Sequence, residues 1–256
     1  MFGPSPSPAR RVPEGPSLVI LREALQPFAG KRVLRVEGNS RQPISDIGGK
    51  TLRRVRTWGK QLLLEFDQFT VRIHFLLYGS WLVDERKEAT PRLSLGFARE
   101  REMNFYACSV RFLTEPPDEI YDWSGDVMSD SWDAAQARRK LRATPDRMVA
   151  DVLLDQGVFA GVGNIIKNEV LHRIRLHPGS RVGALSTRKL GDLVREARDY
   201  SFDFYRWRKA FELKKHYQVH TRQTCPRDGH RLSYVKFFGT ARRRAFFCTK
   251  CQRLVE

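Results

Sequence analysis

The hydrophobic pattern of this 256-residue chain passes from a series of strand-like segments to helical spacing near residue 120, and that shift limits the architecture more than any other feature. Up to about residue 115 the segments "KRVLRVEG", "TLRRVRTW", "KQLLLEF", "TVRIHFLLYGSW", "RLSLGFA" and "NFYACSVRFL" follow one another. Several alternate apolar with polar, as half-buried antiparallel strands do. After the acidic, aperiodic stretch "EPPDEIYDWSGDVMSDSWD" the apolar positions recur at three- and four-residue steps, as on helices. The chain reads as α+β, with an N-terminal β-sandwich followed by a helical domain.

The boundaries follow from the same pattern. Residues 1–12, "MFGPSPSPARRV", read as a disordered leader or a mis-assigned start. Residues 13–120 form the sandwich. Pro16 and Ser17 open a helix packed against it, with Leu18, Leu21, Leu25 and Phe28 on one face and Gly30 as its stop. Residues 121–135 are the linker, 136–215 the helical domain and 216–256 a terminal finger. Within the helical domain, Thr144-Pro145-Asp146 reads as a helix start carrying Met148, Val149, Val152 and Leu153. A glycine-rich turn, "DQGVFAGVGN", then leads into a second helix near Asn164, and a further helix runs roughly from Ser186 to Lys209.

Charge narrows the partners. Lys and Arg number 46 against 29 Asp and Glu, a net of +17, and a structured protein this basic most often meets a polyanion. From Phe211 to Glu256 eleven basic residues face three acidic ones, a net of +8, in sequence of turn and strand character rather than a basic amphipathic helix. No run of about 18 uncharged apolar residues is present to span a bilayer, and the leader lacks the apolar centre of an export signal. A cytoplasmic, nucleoid-associated address is the expectation.

Of four cysteines, Cys225, Cys248 and Cys251 crowd the last 32 residues and Cys108 lies alone in a strand-like run. Cys248 and Cys251 form a CxxC pair, one half of a zinc ribbon. The other half starts at Cys225, with Asp228 at the usual second-ligand position and His230 two residues beyond. Imidazole suits a thiolate-rich zinc site better than carboxylate, so the expected set is Cys225, His230, Cys248 and Cys251 around one structural Zn2+, with Asp228 as the rival. A finger that folds without metal stays open. Between the halves, "GTARRRAFF" makes a hairpin tip dense in guanidinium, suited to bidentate contact with phosphate.

Two further motifs carry chemistry or an ordinary turn, and the residues alone leave both readings open. Gly161 and Gly163 permit tight turns at a helix N-terminus, where free N–H groups favour an anion such as a DNA phosphate, and Asn164 caps that helix or offers its amide. In "RVPEGPSLVI", Pro13 precedes Glu14 just ahead of a helix. Inside a chain a proline nitrogen has no nucleophilicity. At a free N-terminus it is a secondary amine able to attack a sugar C1′ and form an iminium, with Glu14 handling protons.

In this order the motifs resemble the formamidopyrimidine-DNA glycosylase/endonuclease VIII family of base-excision repair enzymes, from Pro13 to the C-terminus. "PEGPS" is similar to its mature N-terminus, "WGKQLLLEF" to its hairpin lysine motif, "DQGVFAGVGNIIKNEVL" to its helix–two-turn–helix and "RRRAFFCTKCQ" to its zinc-finger hairpin. The resemblance implies Pro13 as Schiff-base nucleophile, Glu14 as general acid and Lys60 in the active site. It further implies that Lys60, Asn164 and Arg243, which lies five residues before Cys248, hold the phosphates flanking a lesion. Glu169 falls on an acidic position of the family and is grouped with the DNA-binding residues, where it orients the nucleophile region or sits in a helix salt bridge. "HFLLYGSW" looks like the endonuclease VIII branch, in which Leu76, Leu77 and Tyr78 would wedge into the gap left by a flipped nucleotide.

The expectation is therefore a monomeric, bifunctional glycosylase/AP lyase acting on oxidised pyrimidines or abasic sites in duplex DNA. With residues 1–12 attached, Pro13 is an amide and cannot attack, so Val12 is read as the true start, removed to free Pro13. A non-catalytic binder of damaged or abasic DNA is the alternative. An RNA-binding ribbon protein explains the charge and the finger, but not Pro13, Lys60 and Asn164 together.

Overall fold

The computed structural model describes residues 13–256, apart from the side chain of Leu77. The leader 1–12, and with it the expectation attached to Val12, lies outside the described residues. Contacts divide the chain into two units. One comprises residue 13 and residues 18–121; the other comprises residues 14–17 and 122–256.

In the first unit, α1 (Gly15–Leu25) precedes six strands. These are β1 (Arg35–Glu37), β2 (Arg54–Trp58), β3 (Gln61–Glu65), β4 (Thr70–Val83), β5 (Leu93–Gly96) and β6 (Glu102–Leu113). They form one continuous antiparallel sheet in the order β1-β5-β6-β4-β3-β2. β4 and β6, the two longest strands, pair at the centre of that sheet. Thr70–Phe75 pair with Cys108–Leu113, Ser80–Val83 pair with Met103–Tyr106, and a bulge separates the stretches. Leu18, Leu21, Leu25 and Phe28 face Leu62, Leu64, Ile73, Leu95 and Phe105 in one apolar core. Each of these four is at most 2% exposed, so burying it contributes roughly 1.5–3 kcal/mol. The lone Cys108 lies in this core, where burial pushes its thiol up to about 12. The unit closes with α2 (Pro117–Ile120).

The second unit contains α3 (Ala134–Arg142), α4 (Val149–Val152), α5 (Asn164–Arg173), α6 (Thr187–Lys209) and the hairpin β7 (Ser233–Phe238) and β8 (Arg243–Phe247). Most of the stretch expected as a linker belongs here. Val127 is fully buried in the helical core, and Val127 N–H bonds the Ala160 carbonyl. Asp133 caps α3 by accepting the N–H groups of Ala135 and Gln136. Thr144 does not begin a helix. Its hydroxyl donates back to the Leu141 carbonyl, which closes α3, and α4 starts only after Met148. Ser186 caps α6 as its sequence suggests. Among the described residues, no helix is long and apolar enough to cross a membrane.

The helix α5 organises this unit. Ile165 through His172 are all buried, although Lys167, Asn168, Glu169 and His172 are polar. Buried polar groups need partners, and each of the first three finds one outside the helix. On another side, Arg173 bonds Glu196 and Asp203 of α6 at 2.9 and 2.8 Å and stacks over Tyr200.

Candidate functional site

The chemistry-bearing residues of the second unit gather at the N-terminus of α5. Gly15 N–H donates to the Gly161 carbonyl at 2.8 Å, which lays residues 14–17 along the glycine turn. A Cβ on Gly15 would sit 2.6 Å from Gly161 Cα, so only glycine allows this approach. The Glu14 carboxylate then accepts the N–H of Ile165 at 2.7 Å and of Ile166 at 3.2 Å. A carboxylate here satisfies two orphan donors and lies at the positive end of the helix dipole.

This corrects the reading of the glycine turn. The anion on these N–H groups is the chain's own Glu14, and Gly163 serves to admit it. A Cβ at Gly163 would stand 2.3 Å from Glu14 Cδ. Pro13, one peptide bond before Glu14, is buried.

Asn164 opens α5. Its side-chain oxygen accepts from Lys167 Nζ at 2.9 Å, which leaves the amide NH2 as the group able to donate to an anion. Lys167, 1% exposed, also donates to the Arg244 carbonyl at 3.0 Å and so links Asn164 to β8. Burial pushes its ammonium down to about 8; Asp151 and Glu14 oppose that shift, and Arg243 reinforces it.

Glu169 corrects an expectation. It is fully buried and accepts three backbone N–H groups, from Gln218, Val219 and His220, at 2.7–3.0 Å. It therefore has no face toward a nucleic acid, and its partners are backbone rather than a helix salt bridge. Burial pushes its carboxyl up while those donors pull it down. Asn168 continues the pattern, bonding His220 Nδ1 at 3.0 Å and lying 3.5 Å from the Phe246 nitrogen.

Arg243 begins β8, exposed, and pairs with Phe238. The tip between them is held from α4. Asp151 accepts the N–H groups of Thr240 and Ala241 at 3.1 and 3.0 Å.

Four ligand atoms come within 4.8 Å of one another in the finger, those of Cys225, Asp228, Cys248 and Cys251. His230, expected as the fourth ligand, is not among them, and Asp228 takes that place. The reason lies in the turn. Gly229 N–H bonds the Cys225 carbonyl, and Cys225 N–H bonds the His230 carbonyl. Residue 228 thereby points inward beside Cys225, while the exposed His230 has already left the turn. Burial pushes the Cys251 thiol up to about 12, so such a cluster settles as thiolates only around a cation. Three sulfurs and one carboxylate oxygen suit a tetrahedral Zn2+.

The first unit positions three further residues. Lys60 follows Gly59, whose φ of +54° makes the two-residue turn between β2 and β3. The Lys60 carbonyl lies 3.1 Å from His74 Nδ1. At the bulge in β4, residues 76–79 stand opposite the single Ala107, which takes φ of +47°. Leu76 and Tyr78 project there, 51% and 72% exposed, and the Leu77 side chain lies outside the described residues.

Lys167, Asn168 and Asp151 escaped the reading of the sequence. A signal existed for the first two: "NIIKNEVLHR" places Lys, Asn and Glu in a row, so no face of the helix is consistently polar.

Comparisons with known proteins agree with this organisation. The family described as "Formamidopyrimidine-DNA glycosylase N-terminal domain" matches residues 12–110, and "Formamidopyrimidine-DNA glycosylase H2TH domain" matches residues 124–200. Endonuclease 8-like 3 of Mus musculus is 36% identical over 225 residues, covering 81% of this chain and 37% of that protein. Endonuclease 8 2 of Mycobacterium bovis is 29% identical over 225 residues, 81% of this chain and 86% of that one. The chain spans only 37–38% of the length of the Endonuclease 8-like 3 proteins of Xenopus laevis, mouse and human. Among solved structures, a viral DNA glycosylase superposes with a TM-score of 0.82 at 19% identity, covering 94% of this chain and all of that one. The Lactococcus lactis formamidopyrimidine-DNA glycosylase bound to AP-site DNA superposes with 0.81 at 21%, covering 94% and 99%. Both likenesses establish the fold.

Proposed function

We propose, from the premise that the chain belongs to the formamidopyrimidine-DNA glycosylase/endonuclease VIII family, that it is a bifunctional DNA glycosylase/AP lyase. Its substrates on this reading are oxidised pyrimidines and abasic sites in duplex DNA, and it acts as a monomer wherever that DNA is held. The observation that carries the proposal is the seat of Glu14 on the first N–H groups of α5, which fixes Pro13 one bond away.

With its nitrogen free, Pro13 attacks C1′ of the damaged nucleotide. The N–C1′ bond forms, the glycosidic bond breaks and the base leaves with a proton. Opening of the sugar ring gives an iminium, which acidifies the 2′ C–H bond. Loss of that proton expels the 3′ phosphate, and a second elimination expels the 5′ phosphate. Glu14 relays the protons, held in place by its two backbone donors. Asn164, Arg243 and Lys60 hold the flanking phosphates, and Leu76, Leu77 and Tyr78 fill the gap in the stack. Cys225, Asp228, Cys248 and Cys251 would hold one Zn2+, which ties the base of the arginine hairpin together.

The test is strand nicking on a duplex carrying one thymine glycol, with protein whose first residue is Pro13. Cleavage that leaves phosphate on both sides of the gap supports the reading. Tight binding of the abasic duplex without cleavage would instead support a non-catalytic binder.

A further inference from the structure

We infer that Asp151 is the positioning residue that aims Arg243, by pinning the tip of the β7–β8 hairpin to α4. The inference rests on the reading of Arg243 as a phosphate holder.

A two-stranded hairpin is marginally stable alone, and this one is irregular near its end. Its register shifts between Val235 and Phe238, just before the turn that ends on Arg242 and leads into Arg243 and Arg244 of β8. Within the hairpin Arg242 rests 5.0 Å from the centre of the Phe237 ring, while Arg243 is placed by its backbone pairing with Phe238. Two contacts from elsewhere bracket the turn. On one side Asp151, 5% exposed, receives Thr240 and Ala241 N–H on separate oxygens. On the other, Lys167 holds the Arg244 carbonyl and the Asn164 side chain together.

The tip is shaped to the carboxylate. Gly239 has φ of +65°, and a Cβ there would stand 2.4 Å from Asp151 Oδ1. Burying a carboxylate is costly unless its oxygens are bonded, and here both oxygens bond the backbone of two consecutive residues of a surface hairpin. The return is geometric: Arg243 and Asn164 sit on one frame, anchored at Asp151 and Lys167.

Asp151→Asn keeps the volume but turns an amide NH2 toward one of the two N–H donors. Gly239→Ala pushes on the same contact from the hairpin side and leaves α4 intact. The experiment measures amide exchange of residues 239–242, zinc content, and affinity for a duplex bearing a tetrahydrofuran abasic analogue. It compares full chains carrying Asp151→Asn, Gly239→Ala, Arg243→Ala and the pair Asp151→Asn with Arg243→Ala. The expected result is exchange about tenfold faster in both tip variants, with one zinc retained. Asp151→Asn should weaken duplex binding about tenfold, and the double variant should bind within about twofold of Arg243→Ala alone. Unchanged exchange, or losses that multiply independently in the double variant, overturns the assignment. If Arg243→Ala binds like the parent chain, the phosphate-holding reading fails, and with it any aiming of Arg243.

Discussion

Glu14 and Ile165 are 151 positions apart in the chain, and the carboxylate of one accepts the N–H of the other at 2.7 Å. This contact joins the proposed nucleophile's neighbour to the first turn of α5. It also explains why the turn before α5 ends in glycine, since any side chain at position 163 would collide with the carboxylate.

Glu14→Gln preserves the shape but turns one donor against another. Removing a proton relay typically lowers rate by about 100-fold or more, so lyase turnover should fall by that order. Affinity for an abasic duplex should stay within about threefold, because the proposed phosphate holders Lys60, Asn164 and Arg243 are untouched. Single-turnover cleavage beside equilibrium binding checks both halves, and parallel losses in the two would contradict the role.

Gly163→Ala should be far more damaging than an ordinary Gly→Ala change. Overpacking costs on the order of 1–3 kcal/mol, and here the displaced group is Glu14 itself. Denaturant unfolding should register that loss, and nicking should be abolished. Near-normal nicking would mean that the seat of Glu14 is dispensable.

Asp228→Ala should release the zinc, and His230→Ala should keep one equivalent. Structural zinc contributes on the order of 10 kcal/mol in small fingers, so the Asp228 variant should also lose its finger fold. Metal analysis of both variants decides this directly. Zinc loss from His230→Ala alone would restore the imidazole as the fourth ligand.

Stability should rise with pH between about 8 and the ordinary lysine value because of Lys167. Burial pushes its folded value down to about 8, whereas the unfolded chain keeps the proton to about 10.4. In that window the unfolded state binds more protons, so raising the pH favours the fold. Asp151 and Glu14 oppose the shift and Arg243 adds to it. Lys167→Met should flatten the rise in urea-unfolding free energy relative to the parent chain. Identical slopes in the two would show that the ammonium is not held as described.

Truncating the wedge with Leu76→Ala and Tyr78→Ala together should leave stability unchanged, since both side chains are exposed. Excision from duplex should fall at least about tenfold, because extruding a base costs a few kcal/mol that these side chains, in the proposed wedge role, would partly offset. Excision from single strands, with no gap to fill, should stay within about threefold of the parent chain. Equal losses on both substrates would remove the wedge from the account.

Much of this architecture is visible in local pattern. Several strands of the first unit alternate, Ser186 announces α6, and the CxxC pair announces the finger. What stayed hidden depends on contacts across long stretches of chain. Thr144 has the chemistry of a helix start, yet its hydroxyl turns back to Leu141, and no local rule distinguishes the two outcomes. His230 is the better zinc ligand by chemistry, but a tight turn delivers Asp228. Glu169 and Asp151 resemble surface acids until three and two backbone donors are found on them.

The measurement closest to the centre of this account is borohydride trapping on an abasic duplex, comparing protein that begins at Pro13 with protein that keeps residues ahead of it. A covalent adduct should form with the first and not with the second, and peptide mapping should place the DNA on the Pro13 nitrogen. Equal trapping by both forms, or an adduct on a lysine, would contradict it.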